Sequence, residues 1–172
     1  MSSKEILLVY GLPCSGKSSF VRSLTNYHAI AIDDFIRGKV EDPGISDFVA
    51  LSHELVGDVA REVMATVAEH IVIEMGCLIT KEATAELEAF LRSNNLGFKN
   101  IGLTANDDEL IRRIELRNRN IELGKDTSIK IDGPDYLTRF VEVFENNQPN
   151  DPRYIDTTSM AASLSDIKTK EN

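Results

Sequence analysis

The residues Gly11-Leu12-Pro13-Cys14-Ser15-Gly16-Lys17-Ser18 satisfy the phosphate-binding pattern G-x-x-x-x-G-K-[ST] in full. Gly11 and Gly16 permit backbone conformations closed to residues with a Cβ, so successive N–H groups can turn inward onto phosphate oxygens. A helix starting at Lys17 would aim its unpaired N–H groups and the positive end of its dipole at the same anion. Lys17 adds a mobile positive charge for the β- and γ-phosphates, and the Ser18 hydroxyl suits Mg²⁺. The stretch from Gly11 through Ser19 is therefore the candidate nucleotide site.

Carboxylates and arginines elsewhere suggest what the phosphate is used for. Asp33 and Asp34 follow a short apolar run, and one of them could take the proton of an acceptor hydroxyl; the alternative is a pair of loop carboxylates. Arg37 could clamp an anionic group on the acceptor, or be a solvated loop arginine. Glu74 follows Ile71-Val72-Ile73, where an acidic residue near Mg²⁺ or its waters is expected; it could instead orient substrate, act as the base, or accept backbone N–H groups. Arg113 and Arg117 are four apart and share a helix face, whereas Arg119 leaves that face unless the helix unwinds. Arg117 and Arg119 are candidates to close over the γ-phosphate, and Arg113 to contact the nucleotide. Arg112 reads as part of a solvated face with Glu109 and Glu115. Thr157, after the last strand, is either in a base-binding loop or at an ordinary strand exit. His28, His53 and His70 have no metal-ligand spacing.

These groups need elements to position them. Ile6 to Tyr10 reads as a buried strand and Lys17 to Leu24 as a helix. A second strand covers His28 to Ile32, and a turn-rich loop with Gly38, Pro43 and Gly44 follows Asp33-Asp34. Apolar spacing predicts a helix from Asp47 to His70, then a strand at Ile71 to Ile73 ending at Glu74. A helix over Lys81 to Ser93, a strand over Lys99 to Leu103 and a helix over Asp107 to about Ile121 come next. A polar loop from Glu122 to Lys130 falls within a mobile lid at about 117–132. Pro134 to Asn146 is helical, Arg153 to Asp156 is the last strand, and 160–172 is a weakly ordered tail or short helix. Alternating strands and helices imply a mostly parallel sheet covered on both faces, with ligands at the carboxyl ends of its strands.

The chain has 172 residues, 42% of them hydrophobic, which is enough for the core of one domain spanning 1–172. No apolar run approaches the roughly 18 residues of a membrane span, and the N-terminus leads straight into the first strand, so neither a membrane span nor a signal peptide is expected. Cys14 and Cys77 do not read as halves of a disulfide, so a reducing cytoplasm is expected. The net charge of −9 and pI near 4.8 disfavour a nucleic-acid partner.

Taken together, the G-L-P-C-S-G-K-S loop, Asp33-Asp34 and the R-R-I-E-L-R-N-R segment resemble the small P-loop kinases of the nucleoside-monophosphate-kinase-like group. The closest likeness is to the branch of zeta toxins, polynucleotide 5′-kinases and small-metabolite kinases. The resemblance implies a five-stranded parallel sheet and a lid bearing Arg117 and Arg119. It also implies ATP with Mg²⁺, and Asp33 or Asp34 as base. The chain departs from two members. Polynucleotide kinases show D-D-Y-R where it reads Asp33-Asp34-Phe35-Ile36-Arg37. Shikimate kinases show a glycine triplet where it has Glu74-Met75-Gly76-Cys77. The expectation is an ATP–Mg²⁺ phosphotransferase acting on a hydroxyl of a small acceptor, as a monomer or homodimer. The rivals are a polynucleotide 5′-hydroxyl kinase and an ATP-dependent switch; no N-K-x-D signature of guanine-specific switches is present.

Overall fold

The computed structural model describes residues 4–126, 131, 134–149 and 152–159. In chain order the elements are β1 (Glu5–Tyr10), α1 (Lys17–Ser23), β2 (His28–Ala31), α2 (Ile32–Arg37), α3 (Ile45–Ala65) and β3 (His70–Gly76). They continue with α4 (Lys81–Ser93), β4 (Gly97–Thr104), α5 (Asp107–Glu122), α6 (Pro134–Asn146) and β5 (Arg153–Asp156). The five strands form one parallel sheet in the order β2-β3-β1-β4-β5. This is the three-layer α/β architecture the sequence predicts, with helices covering a parallel sheet.

The period-two alternation of the central strands divides the core in two. Ile6, Leu8 and Tyr10 of β1 join Ile71, Ile73 and Met75 of β3 on one face, packed beneath α3 and α4 through Leu55, Val59, Leu87 and Leu91. Leu7, Val9 and Val72 face the other way, against Phe20 and Val21 of α1. Because β1 is central, a strand on either side supplies its hydrogen bonds and both its faces are covered. Such a strand reads in sequence as an unbroken apolar run.

Three of the differences from the sequence expectation stand out. Residues 32–37 form a helix where turn signals suggested a loop, because Ile32 and Ile36, one helical turn apart, are both inserted into the core. Asp33 and Asp34 therefore sit in a helical first turn, where the dipole favours carboxylates. The helix α3 stops at Ala65; Val67 continues the apolar spacing but is 96% exposed, with nothing for it to pack against. β3 runs on to Gly76, so Glu74 lies within the strand rather than after it. The expected lid falls partly on α5, and its residues 127–130 and 132 lie outside the described residues, as does the 160–172 tail.

Candidate active site

The phosphate loop joins β1 to α1 across the carboxyl edge of the sheet. Gly11 has φ +152°, and a Cβ there would stand 2.5 Å from both the Leu103 carbonyl oxygen and the Ser15 hydroxyl. Gly16 has φ +99° and abuts Thr157, whose side chain a Cβ would meet at 3.4 Å. Lys17 folds back on the loop, its Nζ donating to the carbonyls of Gly11 (2.7 Å) and Leu12 (2.8 Å).

Glu74 reaches this loop because of strand parity. Ile73 and Met75 point into the α3 side of the sheet, so Glu74 between them points to the α1 side, where Ser18 begins its helix. The Ser18 hydroxyl donates to Glu74 Oε1 at 2.9 Å. The register of β1 against β3 is irregular here: Val9 is opposite Glu74 and Tyr10 opposite Gly76. Bulges of this kind re-aim side chains beside sites. A magnesium ion fits the pair. Two neighbouring ligands of an octahedral ion, each at about 2.1 Å, stand about 3 Å apart, the spacing seen here. Among the described residues no three His, Cys, Asp or Glu converge into a cage, and Mg²⁺ needs none when phosphates and waters complete its shell.

A second set of contacts braces the loop from the far side. Arg113, on α5, receives a carboxylate partner from Glu109 one turn earlier (Nε to Oε1, 2.7 Å). Its Nη1 donates to the Cys14 carbonyl (3.1 Å) and to Thr157 Oγ1 (3.0 Å), and Nη2 donates to the Thr157 carbonyl. The Thr157 hydroxyl lies against the carbonyls of Ser15 and Thr104, and its N–H donates to the Thr104 carbonyl at 2.7 Å. Bonds from Arg112 and Arg113 pull the Glu109 carboxyl down to about 2. Arg113 and Thr157 thus spend their polar groups on the loop backbone. Sequence spacing gave no hint of this brace, since its members are 44 residues apart.

One cleft of about 540 Å³ collects most of the chemistry. It is lined by the loop with Lys17, Ser18 and Ser19, by Asp33, Asp34 and Arg37 of α2, by Glu74, and by Arg113 and Arg117. Arg117 Nη1 lies 3.9 Å from Cys14 Sγ. Arg119 does not join them: α5 stays helical through Glu122, which leaves Arg119 on another face, exposed. Several lining groups escaped the sequence reading. Arg22 stands one turn after Ser18 on α1, a spacing that could have revealed it. Phe48 and Phe140 supply apolar wall; their helices were foreseen but the direction they face was not. Cys77 also lines the cleft, and burial pushes its thiol up to about 12, so it is a neutral wall group.

A family model for the AAA domain matches residues 6–129. The chain belongs to the AAA domain family. No curated protein matches it. Among solved structures, it is similar to a provisionally assigned kinase from Chloroflexus aurantiacus, at 14% identity and TM-score 0.64 over 98% of this chain and 94% of that one. It is similar to the protein APE1195 at 19% identity and TM-score 0.63, over 98% and 93%. It also resembles a chain of the Pnkp1/Rnl/Hen1 RNA repair complex at 17% identity and TM-score 0.61, covering 84% of this chain and 45% of that one. These likenesses show that the chain shares their fold.

The last of them corrects the expectation drawn from charge. A chain of an RNA repair complex carries this fold, so overall acidity is no ground for setting nucleic acid aside. The net charge sums the whole surface, whereas a polyanion senses the local field. In the cleft Lys17, Arg22, Arg37, Arg113 and Arg117 are gathered beside Asp33, Asp34, Glu74 and Asp126. Among the described residues, no helix is long and apolar enough to cross a membrane.

Proposed function

We propose that this AAA domain is an ATP–Mg²⁺-dependent phosphotransferase whose acceptor is a hydroxyl group. The observation that carries the reading is that the phosphate loop, the Ser18–Glu74 pair and the Asp33-Asp34 carboxylates line a single cleft. Its volume is in the range of small-molecule sites. A nucleotide switch needs the first two features; only transfer to an alcohol needs a carboxylate across from them.

In this reading the loop N–H groups hold the triphosphate. Lys17 exchanges the Gly11 and Leu12 carbonyls for phosphate oxygens, and Arg117 faces the transferring group. Ser18 and Glu74 would hold the metal, which would supply positive charge to offset the charge developing on the phosphates. Asp33 or Asp34 accepts the hydroxyl proton as the acceptor oxygen meets the γ-phosphorus. A second reading, in which the hydroxyl is the 5′ end of a nucleic acid, is favoured by the likeness to the RNA-repair chain and by the clustered cations.

The test is ATP consumption against pooled sugars, sugar acids, nucleosides and 5′-hydroxyl oligonucleotides, repeated with Asp33→Asn and Asp34→Asn. One pool should raise turnover above the acceptor-free rate. Loss of the base should cost roughly 10²–10⁴-fold in one variant. Slow hydrolysis that no pool stimulates and neither variant alters would make the protein a switch.

A further inference from the structure

Away from the cleft, a buried polar cluster lies on the strand that carries the phosphate loop, and phosphate transfer has no use for it. Its members Tyr10, Thr84 and Glu88 are 4%, 3% and 2% exposed. The helix α4 connects two strands of one parallel sheet, so it runs antiparallel to them. Four residues along a helix cover about 6 Å and two along a strand about 6.6 Å, so contacts between them repeat at that step. The Arg92 guanidinium sits 4.9 Å from the centre of the Phe98 ring, and Asn100 Nδ2 donates to Glu88 Oε1 at 2.8 Å. One step further along, Thr84 comes level with Gly102, whose neighbour on β1 is Tyr10. Tyr10 faces the α4 side of the sheet, packed in the core with Leu87 and Leu91. Burial, and then the Glu88 charge, raise the Tyr10 pKa above its ordinary range, so the phenol keeps its proton and stays a donor.

Two hydroxyls in this cluster, those of Tyr10 and Thr84, have no hydrogen-bond partner in the protein. Glu88 has capacity to spare. Its Oε1 takes Asn100 and its Oε2 takes Arg92 Nη2 at 3.1 Å, and each carboxylate oxygen has a second lone pair. Buried hydroxyls without partners are rare and costly, and an ordered water is the usual remedy. Two donors beside an acceptor are the partner set of one water, which accepts from Tyr10 and Thr84 and donates to Glu88. A metal ion fits less well, because Arg92 already balances the carboxylate. We propose that Tyr10, Thr84 and Glu88 bind one internal water, which fastens the strand carrying the phosphate loop to α4. Gly11 follows Tyr10 directly, so the tie holds the base of the loop whatever the cleft does with phosphate.

Isosteric variants test this, because a watered and an orphaned hydroxyl predict opposite signs. Tyr10→Phe and Thr84→Val keep the packing and remove one hydroxyl each. Each should lower Tm by roughly 1–6 °C, the loss of one ordinary hydrogen bond in a chain of this size. An unchanged or raised Tm overturns the proposal, since removing an orphaned buried hydroxyl relieves its desolvation cost. The double variant should lose less than the sum of the two, because both hydroxyls serve one water. Strict additivity overturns the shared site. A high-resolution crystal structure should show one ordered water touching all three residues in the wild type and missing from the double variant. Direct bonds among the three residues, with no water, would overturn it. Exchanging sodium for potassium or a bulky organic cation should leave Tm unchanged; a dependence would make the occupant an ion and sink the proposal. The Gly11 amide, which donates to the Gly76 carbonyl at 3.2 Å, should exchange its hydrogen several-fold faster in Tyr10→Phe. Unchanged exchange would refute the tie to the loop.

Discussion

Replacing Thr157 with valine tests whether the last strand braces the phosphate loop. The residue is 4% exposed, and valine keeps its shape against Gly16. What it removes is the hydroxyl that lies against the Ser15 and Thr104 carbonyls and receives Arg113 Nη1. The Thr104 carbonyl keeps the Thr157 N–H, and Arg113 keeps Cys14 and the Thr157 carbonyl. The Ser15 carbonyl loses its Thr157 partner. A buried acceptor stranded in this way costs about 1–3 kcal/mol, which for a chain of this size lowers Tm by roughly 2–12 °C. Thr157→Ser keeps the hydroxyl and gives up one methyl, about 1 kcal/mol, so it should fall between wild type and the valine variant. The assay is thermal unfolding of the three proteins, with ATP and GTP affinities measured on the folded forms. Thr157→Val should bind both nucleotides more weakly by a similar factor, because the loop is less well held while no base contact is lost. A valine variant as stable as wild type, or one that shifts the ratio of ATP to GTP affinity, would refute the brace.

Other expectations follow from the same geometry. Lys17→Ala should abolish transfer while leaving the fold intact; retained turnover would remove the phosphate loop from the chemistry. Glu74→Gln should raise the Mg²⁺ concentration for half-maximal turnover by roughly 10–100-fold. An unchanged metal titration would mean that the Ser18–Glu74 pair does not hold the ion. The Glu109 carboxyl is held at about 2 against an ordinary 4.5 by Arg112 and Arg113. A depressed carboxylate contributes stability that is present above its unfolded pKa and is lost as pH falls through the folded one. The gap in urea midpoint between wild type and Glu109→Gln should therefore be constant near neutrality and narrow from about pH 4.5 toward pH 2. A gap that stays constant to pH 3 would contradict the pairing.

Local chemistry made much of this protein legible in one dimension. The phosphate loop could be read because its glycines, lysine and serine act through backbone geometry within eight residues. The strands of the sheet could be read because a central parallel strand must be apolar on both faces, and Ile6 to Tyr10 and Ile71 to Ile73 are. The helix at α2 was lost because Pro43 and Gly44 signal a turn more loudly than two isoleucines signal a helix. What drew residues 32–37 into a helix was a core waiting for Ile32 and Ile36.

The site divides along the same line. Types and spacing alone marked Lys17, Ser18, the Asp33-Asp34 pair and Glu74 as groups able to do phosphoryl chemistry. Folding decided which of them meet. Strand parity turned Glu74 toward Ser18, and the unbroken helix of α5 carried Arg119 away from the cleft while keeping Arg113 and Arg117 in it. The parallel order β2-β3-β1-β4-β5 brought the end of β5 against a loop about 140 residues earlier, making Thr157 and Arg113 its brace. A hydrogen bond across that distance in sequence leaves no periodic trace, because the direction in which each partner points is set by the packing of whole elements.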